Sequence, residues 1–215
     1  MNMKKQNRKL FVASLGMLVA FVLWTVAVRT VDLQVIGPQG SAVGLGTVNA
    51  FVHALTGVRM SLYTITNWLG LVPFFFVIGF ALLGLYQWIK RKTLKKVDRD
   101  ILVLGGFYFV VMAVYLLFEL FVVNYRPVLI DGRLEASYPS STTLLVMCVM
   151  PTAVFQLKGR IKNLVFRRMV CLFLILFMAF MVIGRLVSGV HWFTDIVGGI
   201  LLSGGLVMMY RSVSG

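Results

Sequence analysis

The sequence predicts an all-α fold: a six-helix transmembrane bundle with one extracytoplasmic amphipathic helix between the first two spans. Three observations carry this. Hydrophobic residues make up 60% of the 215 and charged residues only 13%, with a mean hydropathy of +0.92, which is too little polar material to cover a soluble globule. The apolar residues gather in six runs, most of them about as long as a bilayer crossing requires. Basic residues come in short blocks between these runs, so the net charge of +14 signals membrane topology rather than a nucleic-acid partner.

The first span is expected over residues 10–28, behind Lys4, Lys5, Arg8 and Lys9. It is longer than a typical signal-peptide core, and Thr25-Val26-Ala27 is a poor cleavage site, so it reads as a retained span. Between Arg29 and Asn67 the chain is mixed and Gly-rich. Val48, Phe51, Val52 and Leu55 recur there at helical spacing, the pattern of a helix lying on the membrane surface. His53 on this segment reads as a packed or solvated histidine.

Five further spans are expected over residues 68–89, 101–123, 142–157, 169–187 and 193–210. The fourth and sixth are short and contain Pro151 or several glycines, which bundle packing tolerates. Gly198, Gly199, Gly204 and Gly205 read as close-packing positions. Cys148 and Cys171 lie inside apolar runs and offer neither a disulfide framework nor a metal site. No repeat or linker divides the chain, so residues 1–215 are read as one domain.

Orientation follows from the 21 lysines and arginines. All except Arg29, Arg59, Arg126, Arg133 and Arg185 fall before the first span, in Lys90–Arg99, in Lys158–Arg168 or at Arg211. The rule that basic loops stay inside then puts both termini of a multi-pass cell-membrane protein in the cytoplasm. The loops after the third and fifth spans face outward.

Chemistry concentrates in the run from Gly184 to Asp195, which sets Arg185, His191 and Asp195 in an otherwise apolar region. Ionisable groups beside spanning helices are costly and by default functional. With a helix starting near Trp192, His191 sits at its positive end, where a bound anion is favoured. Asp195, one turn on, can accept an imidazole N–H, fix the tautomer and leave the other nitrogen free to react. Arg185 offers a planar fork of donors suited to phosphate.

The spacing Arg, five residues, His, three residues, Asp resembles the third signature of the type 2 phosphatidic-acid phosphatase family, with Gly184 where the family has Ser. The resemblance implies a nucleophilic His191, an orienting Asp195 and a phosphate-binding Arg185. Arg126-Pro127 resembles the end of the first signature, but Glu119 stands at its lysine position, a charge reversal beside the expected phosphate. If helix persists to Arg126, Glu119 and Arg126 share a face. Tyr138-Pro139-Ser140-Ser141-Thr142 resembles the second signature, Pro-Ser-Gly-His, with Ser141 for Gly and Thr142 for the histidine that protonates the leaving group. The same stretch also reads as a helix N-cap.

By resemblance, Arg126, Ser140, Ser141 and Arg185 bind phosphate. Thr142 cannot supply the proton near neutral pH. Either the substrate is a lipid diphosphate such as a polyprenyl diphosphate, whose leaving group is a weak base, or Glu119, kept neutral near the apolar end of a span, is the acid.

The function expected is therefore hydrolysis of a lipid phosphate or diphosphate at the outer face through a phosphohistidine. Neither a metal nor another cofactor is expected, nor a nucleic-acid partner, and the oligomeric state is left open. The alternatives are a phosphoryl transferase using the same covalent step, a non-catalytic relative that binds lipid phosphates, and a small transporter using Glu119.

Overall fold

The computed structural model describes residues 3–214. Among them, six helical segments are long and apolar enough to cross a membrane. The protein is thus a multi-pass, all-helical membrane protein. Helix α1 (Met3–Thr30) supplies the first span. Helix α2 (Gly46–Thr56) is the amphipathic segment expected at the surface. Its apolar stripe of Val48, Phe51 and Leu55 is exposed, while Asn49, on the opposite side, is buried against the bundle. That arrangement suits a helix whose apolar side meets lipid.

The second span departs from expectation. It runs from Met60 to Arg91 as two pieces, α3 (Met60–Leu69) and α4 (Val72–Arg91), broken at Gly70-Leu71. Pro73 in the first turn of α4 fits the break, because its missing N–H costs nothing there. Of the polar residues that hid α3 in the sequence, Thr66 is fully buried and Tyr63 half-buried, while Ser61, Thr64 and Asn67 are exposed.

Helix α5 (Arg99–Leu120) ends three residues earlier than the run expected to 123, with Phe121 as its C-cap. Glu119 and Arg126 therefore share no helix face. Beyond it the chain folds into a short hairpin, with isolated bridges Tyr125 to Ala136 and Ile130 to Arg133. Asp131 and Gly132 turn its tip with φ of 48° and 74°, the left-handed pair that a tight hairpin turn requires.

Helix α6 (Ser141–Arg160) is the most enclosed span, with Pro151 accommodated inside it. Ser140 caps it, its Oγ accepting the Thr143 N–H at 3.5 Å. Helix α7 (Leu164–Val187) starts on an Asn163 cap, and α8 (Phe193–Ser214) follows the short loop that carries His191. The glycines of α8 are packing positions, as expected. A Cβ on Gly204 or Gly205 would lie 2.8 Å from Met17 or Leu18 of α1, and one on Gly198 would lie 2.6 Å from the Tyr138 ring.

Candidate active site

Backbone pairing brings the three motifs together. The hairpin bonds Arg126 N–H to Glu135 O (3.0 Å) and Ser137 N–H to Asn124 O (2.9 Å), so Arg126 and Ser137 leave facing arms close to each other. The hairpin is pinned to the last motif where Trp192 Nε1 donates to Tyr125 O (2.8 Å). Ser140 N–H donates to Asp195 O (3.1 Å), tying the second motif to the first turn of α8. From the other side, α2 clasps that turn: Asn49 Oδ1 accepts Thr194 N–H (3.1 Å) and its Nδ2 donates to Thr194 Oγ1 (3.0 Å).

At the centre is His191, 3% exposed and just ahead of α8. Asp195 does not simply bond it. Their nearest atoms, His191 Nδ1 and Asp195 Oδ2, are 3.6 Å apart. Ser137 fills the gap, its Oγ donating in a short bond to Asp195 Oδ2 and lying 3.1 Å from His191 Nδ1. A serine hydroxyl has one hydrogen, and Asp195 Oδ2 takes it, so the Ser137 oxygen accepts the Nδ1–H. His191 Nε2 is then the unprotonated nitrogen. Asp195 Oδ2 also accepts Trp192 N–H (2.8 Å), so the carboxylate that orients the histidine closes the start of α8 as well.

Two guanidiniums face Nε2: Arg185 Nη2 at 3.4 Å and Arg126 Nη1 at 3.5 Å, both at the long edge of hydrogen bonding. Burial first, then the positive charges of Arg126 and Arg185, hold the His191 pKa well below its ordinary value, against a smaller opposing contribution from Ser137. The imidazole is neutral at physiological pH. Arg126 is anchored by Glu135, with Nε 3.1 Å from Oε2. Arg185 is only 1% exposed, and its Nε and Nη1 have no hydrogen-bond partner. Leaving buried donors unpaired costs roughly 1–3 kcal/mol each, more for charged groups. The Tyr63 ring lies beneath both guanidiniums, 5.0 Å from that of Arg185 and 5.9 Å from that of Arg126.

The structure thus assembles Arg126, Arg185, His191 and Asp195, and adds Ser137 and Tyr63, which the sequence reading missed. Tyr63 gave no signal, being one aromatic residue on a mixed segment. Ser137 had one: the Asp131-Gly132 pair marks a hairpin that folds its arm back on Arg126. Ser140 is fully buried, its oxygen engaged by Thr143. Ser141 lines a narrow cleft with Tyr115, Glu119, Ser137 and Pro139. Thr142 turns toward the α3–α4 break, its methyl 3.7 Å from where a Cβ on Gly70 would stand. His53 packs on the loop that carries His191, Nε2 3.2 Å from Gly189 O and ring 5.4 Å from that of Trp192.

Gly184 answers to packing: a Cβ there would meet the Thr66 methyl at 2.8 Å. A larger apolar groove of about 490 Å³ lies between α4 and α5, among Gly84, Trp88, Leu94 and Gly105, and contains no motif residue. Among the described residues no three His, Cys, Asp or Glu side chains cluster as a metal site.

A family model described as the PAP2 superfamily matches residues 105–214. No curated protein matches the chain. Among solved structures, the fold is similar to the crystal structure of the first transmembrane PAP2 type phosphatidylglycerolphosphate phosphatase from Bacillus subtilis. The TM-score is 0.62 over 93% of this chain and 94% of that one, at 18% sequence identity.

Proposed function

Since the chain belongs to the PAP2 superfamily, we propose that it is a membrane lipid phosphatase working through a phosphohistidine on His191. The observation that carries this is a buried His191 Nε2 beside a guanidinium whose Nε and Nη1 are unpaired. A phosphoryl group supplies the oxygens those donors lack and offers its phosphorus to Nε2.

In the first step the Nε2–P bond forms and the P–O bond to the lipid breaks. Arg185 and Arg126 stabilise the charge that builds on the phosphoryl oxygens. The imidazole gains positive charge, which Asp195 offsets through Ser137. Water then attacks phosphorus, the N–P bond breaks and inorganic phosphate leaves. Ser141, which lines the adjoining cleft, is assigned to the rest of the headgroup.

The step with no dedicated donor is protonation of the departing lipid oxygen, because Thr142 carries no acid. This favours a second reading on the substrate side, a lipid diphosphate such as a polyprenyl diphosphate, whose leaving group needs little protonation. The distribution of basic residues supports a site on the outer face of the cell membrane, with both termini inside.

The test is phosphate release by the purified protein in detergent from a panel of lipid monophosphates and diphosphates. The wild type should release phosphate, His191→Ala should abolish release while remaining folded, and acid-labile phosphate should be trapped on the wild type alone. Undiminished turnover by His191→Ala would overturn the covalent mechanism.

A further inference from the structure

Helix α3 lies outside the stretch that matches the family, residues 105–214, yet it reaches the centre of the site. Arg59, which opens the helix, and Tyr63 and Thr66 within it stand at i, i+4 and i+7, on one face. The first and last of these are fixed to α7 and the loop behind it. Arg59 N–H donates to Ser188 O (2.9 Å), and the Thr66 methyl fills the space beside Gly184, 2.8 Å from where a Cβ would stand. Tyr63, between the two fixed points, is thereby set against Arg185. Its ring lies 5.0 Å from that guanidinium and 5.9 Å from that of Arg126.

Arg185 is 1% exposed, and among the described residues it forms no ion pair. A second guanidinium converges on the same atom, since Arg185 Nη2 and Arg126 Nη1 both lie within 3.5 Å of His191 Nε2. Like charges so close repel strongly where water is excluded. Arg126 has Glu135 to offset this; Arg185 has the Tyr63 ring. The face of an aromatic ring attracts a desolvated cation. It does so without consuming the donors, because Arg185 Nε and Nη1 remain unpaired. A carboxylate in the place of Tyr63 would take those N–H groups and compete for them with phosphate.

We propose that Tyr63 is a positioning residue of this site: its ring offsets part of the Arg185 charge and keeps that guanidinium on His191 Nε2, with the remaining donors open to phosphate. The proposal rests on the phosphate-binding part of the function proposed above and extends the site to a helix that none of the three motifs includes. The ring acts, and the hydroxyl is dispensable to this role.

Inorganic phosphate, titrated into the purified full-length protein in uncharged detergent, reads the held guanidinium without turnover, with affinity taken from the thermal shift. Tyr63→Phe keeps the ring and should stay within about twofold of the wild type. Tyr63→Leu should bind about 30-fold more weakly, the loss of one desolvated cation–π contact. Phenylalanines with one, two and three ring fluorines, placed at position 63 by codon suppression, keep nearly the same shape while draining negative charge from the ring face. Affinity should fall stepwise along that series, by about tenfold at three fluorines, and kcat/KM for lipid phosphate should fall in parallel.

The fluorinated series decides the question even where Tyr63→Leu fails to fold. A flat series would show that the ring merely packs and would overturn the proposal, as would a Tyr63→Phe variant that loses as much as the leucine one. Stepwise loss of phosphate affinity with no phosphate release from any lipid by the wild type would sink the phosphatase reading and leave this one standing.

Discussion

Replacing Ser137 with alanine tests the arrangement that most separates this site from a simple histidine and aspartate pair. The hydroxyl lies between two groups that are 3% and 0% exposed, so no bulk water stands ready to replace it. Its loss strands the Nδ1–H of His191 and one lone pair of Asp195 Oδ2, at roughly 1–3 kcal/mol for each group left unsatisfied. The pair can recover only by closing from 3.6 Å to a direct bond, a movement of about 0.8 Å given ordinary hydrogen-bond lengths.

Such a movement swings Nε2 off the line between the two guanidiniums. A misplacement of about 1 Å in a reacting group costs on the order of a hundredfold. Ser137→Ala should therefore lower kcat by about 30- to 100-fold with little change in KM. Asp195→Asn, which disturbs the tautomer itself, should cost about 10⁴-fold by analogy with other oriented histidines. The assay is steady-state phosphate release, with a thermal-unfolding check on each variant. If Ser137→Ala keeps the wild-type kcat while Asp195→Asn is inactive, the aspartate acts directly and the serine is a bystander.

Arg185→Met should abolish phosphate release and yet raise the thermal midpoint, because it removes a buried charge with two unpaired nitrogens. A gain of about 1 kcal/mol corresponds to roughly 2–4 °C for a chain of this size, and a lowered midpoint would show that the guanidinium is satisfied structurally. Because the folded His191 pKa lies well below 6.5, the folded state binds fewer protons than the unfolded state in between. Stability should fall as pH drops below about 6.5, by up to about 1.4 kcal/mol per pH unit, while kcat/KM stays flat across 6.5. Thermal scans against pH should show this slope in the wild type and lose it in His191→Gln. For topology, Arg133→Cys should react with a membrane-impermeant thiol reagent in intact cells and Lys162→Cys should not. The native Cys148 and Cys171 are buried and should stay silent, and the reverse pattern would move the site to the cytoplasm.

The spans were legible because each must bury its backbone bonds in a long apolar helix, and length and composition record that directly. The break at Gly70-Leu71 was not, since Tyr63 and Thr66 look like loop residues until α7 is present to receive them. The same pair explains Gly184: Thr66 occupies the space a serine side chain would need there. Spacing also found Arg185, His191 and Asp195, which lie close together along the chain at the end of α7, in the following loop and in the first turn of α8. It could not show how His191 meets Asp195, because the intervening hydroxyl comes from a hairpin whose pairing is set by tertiary contact. Glu119 was visible as a reversed charge, but that Arg126 pairs with Glu135 instead emerged only once the hairpin was seen.

Thr142 poses the remaining question, how the leaving oxygen obtains its proton, and restoring a histidine there asks it directly. The residue is the second of α6, half-buried, with its methyl toward the α3–α4 break. General acids contribute about 10² to 10⁴ in evolved sites, and one introduced without its supporting contacts should give less, about tenfold. The benefit must depend on the leaving group. An alkoxide expelled from a monoester needs the proton, whereas a phosphate monoester expelled from a diphosphate scarcely does. Thr142→His should therefore raise monoester turnover about tenfold and leave diphosphate turnover within about twofold, with the monoester gain fading as pH rises through the imidazole range near 6.5. Thr142→Asn, similar in polarity but unable to donate a labile proton, separates acid catalysis from altered packing. If the histidine and asparagine variants change both substrates alike, the missing acid is not what limits turnover, and protonation by water or by the substrate itself suffices.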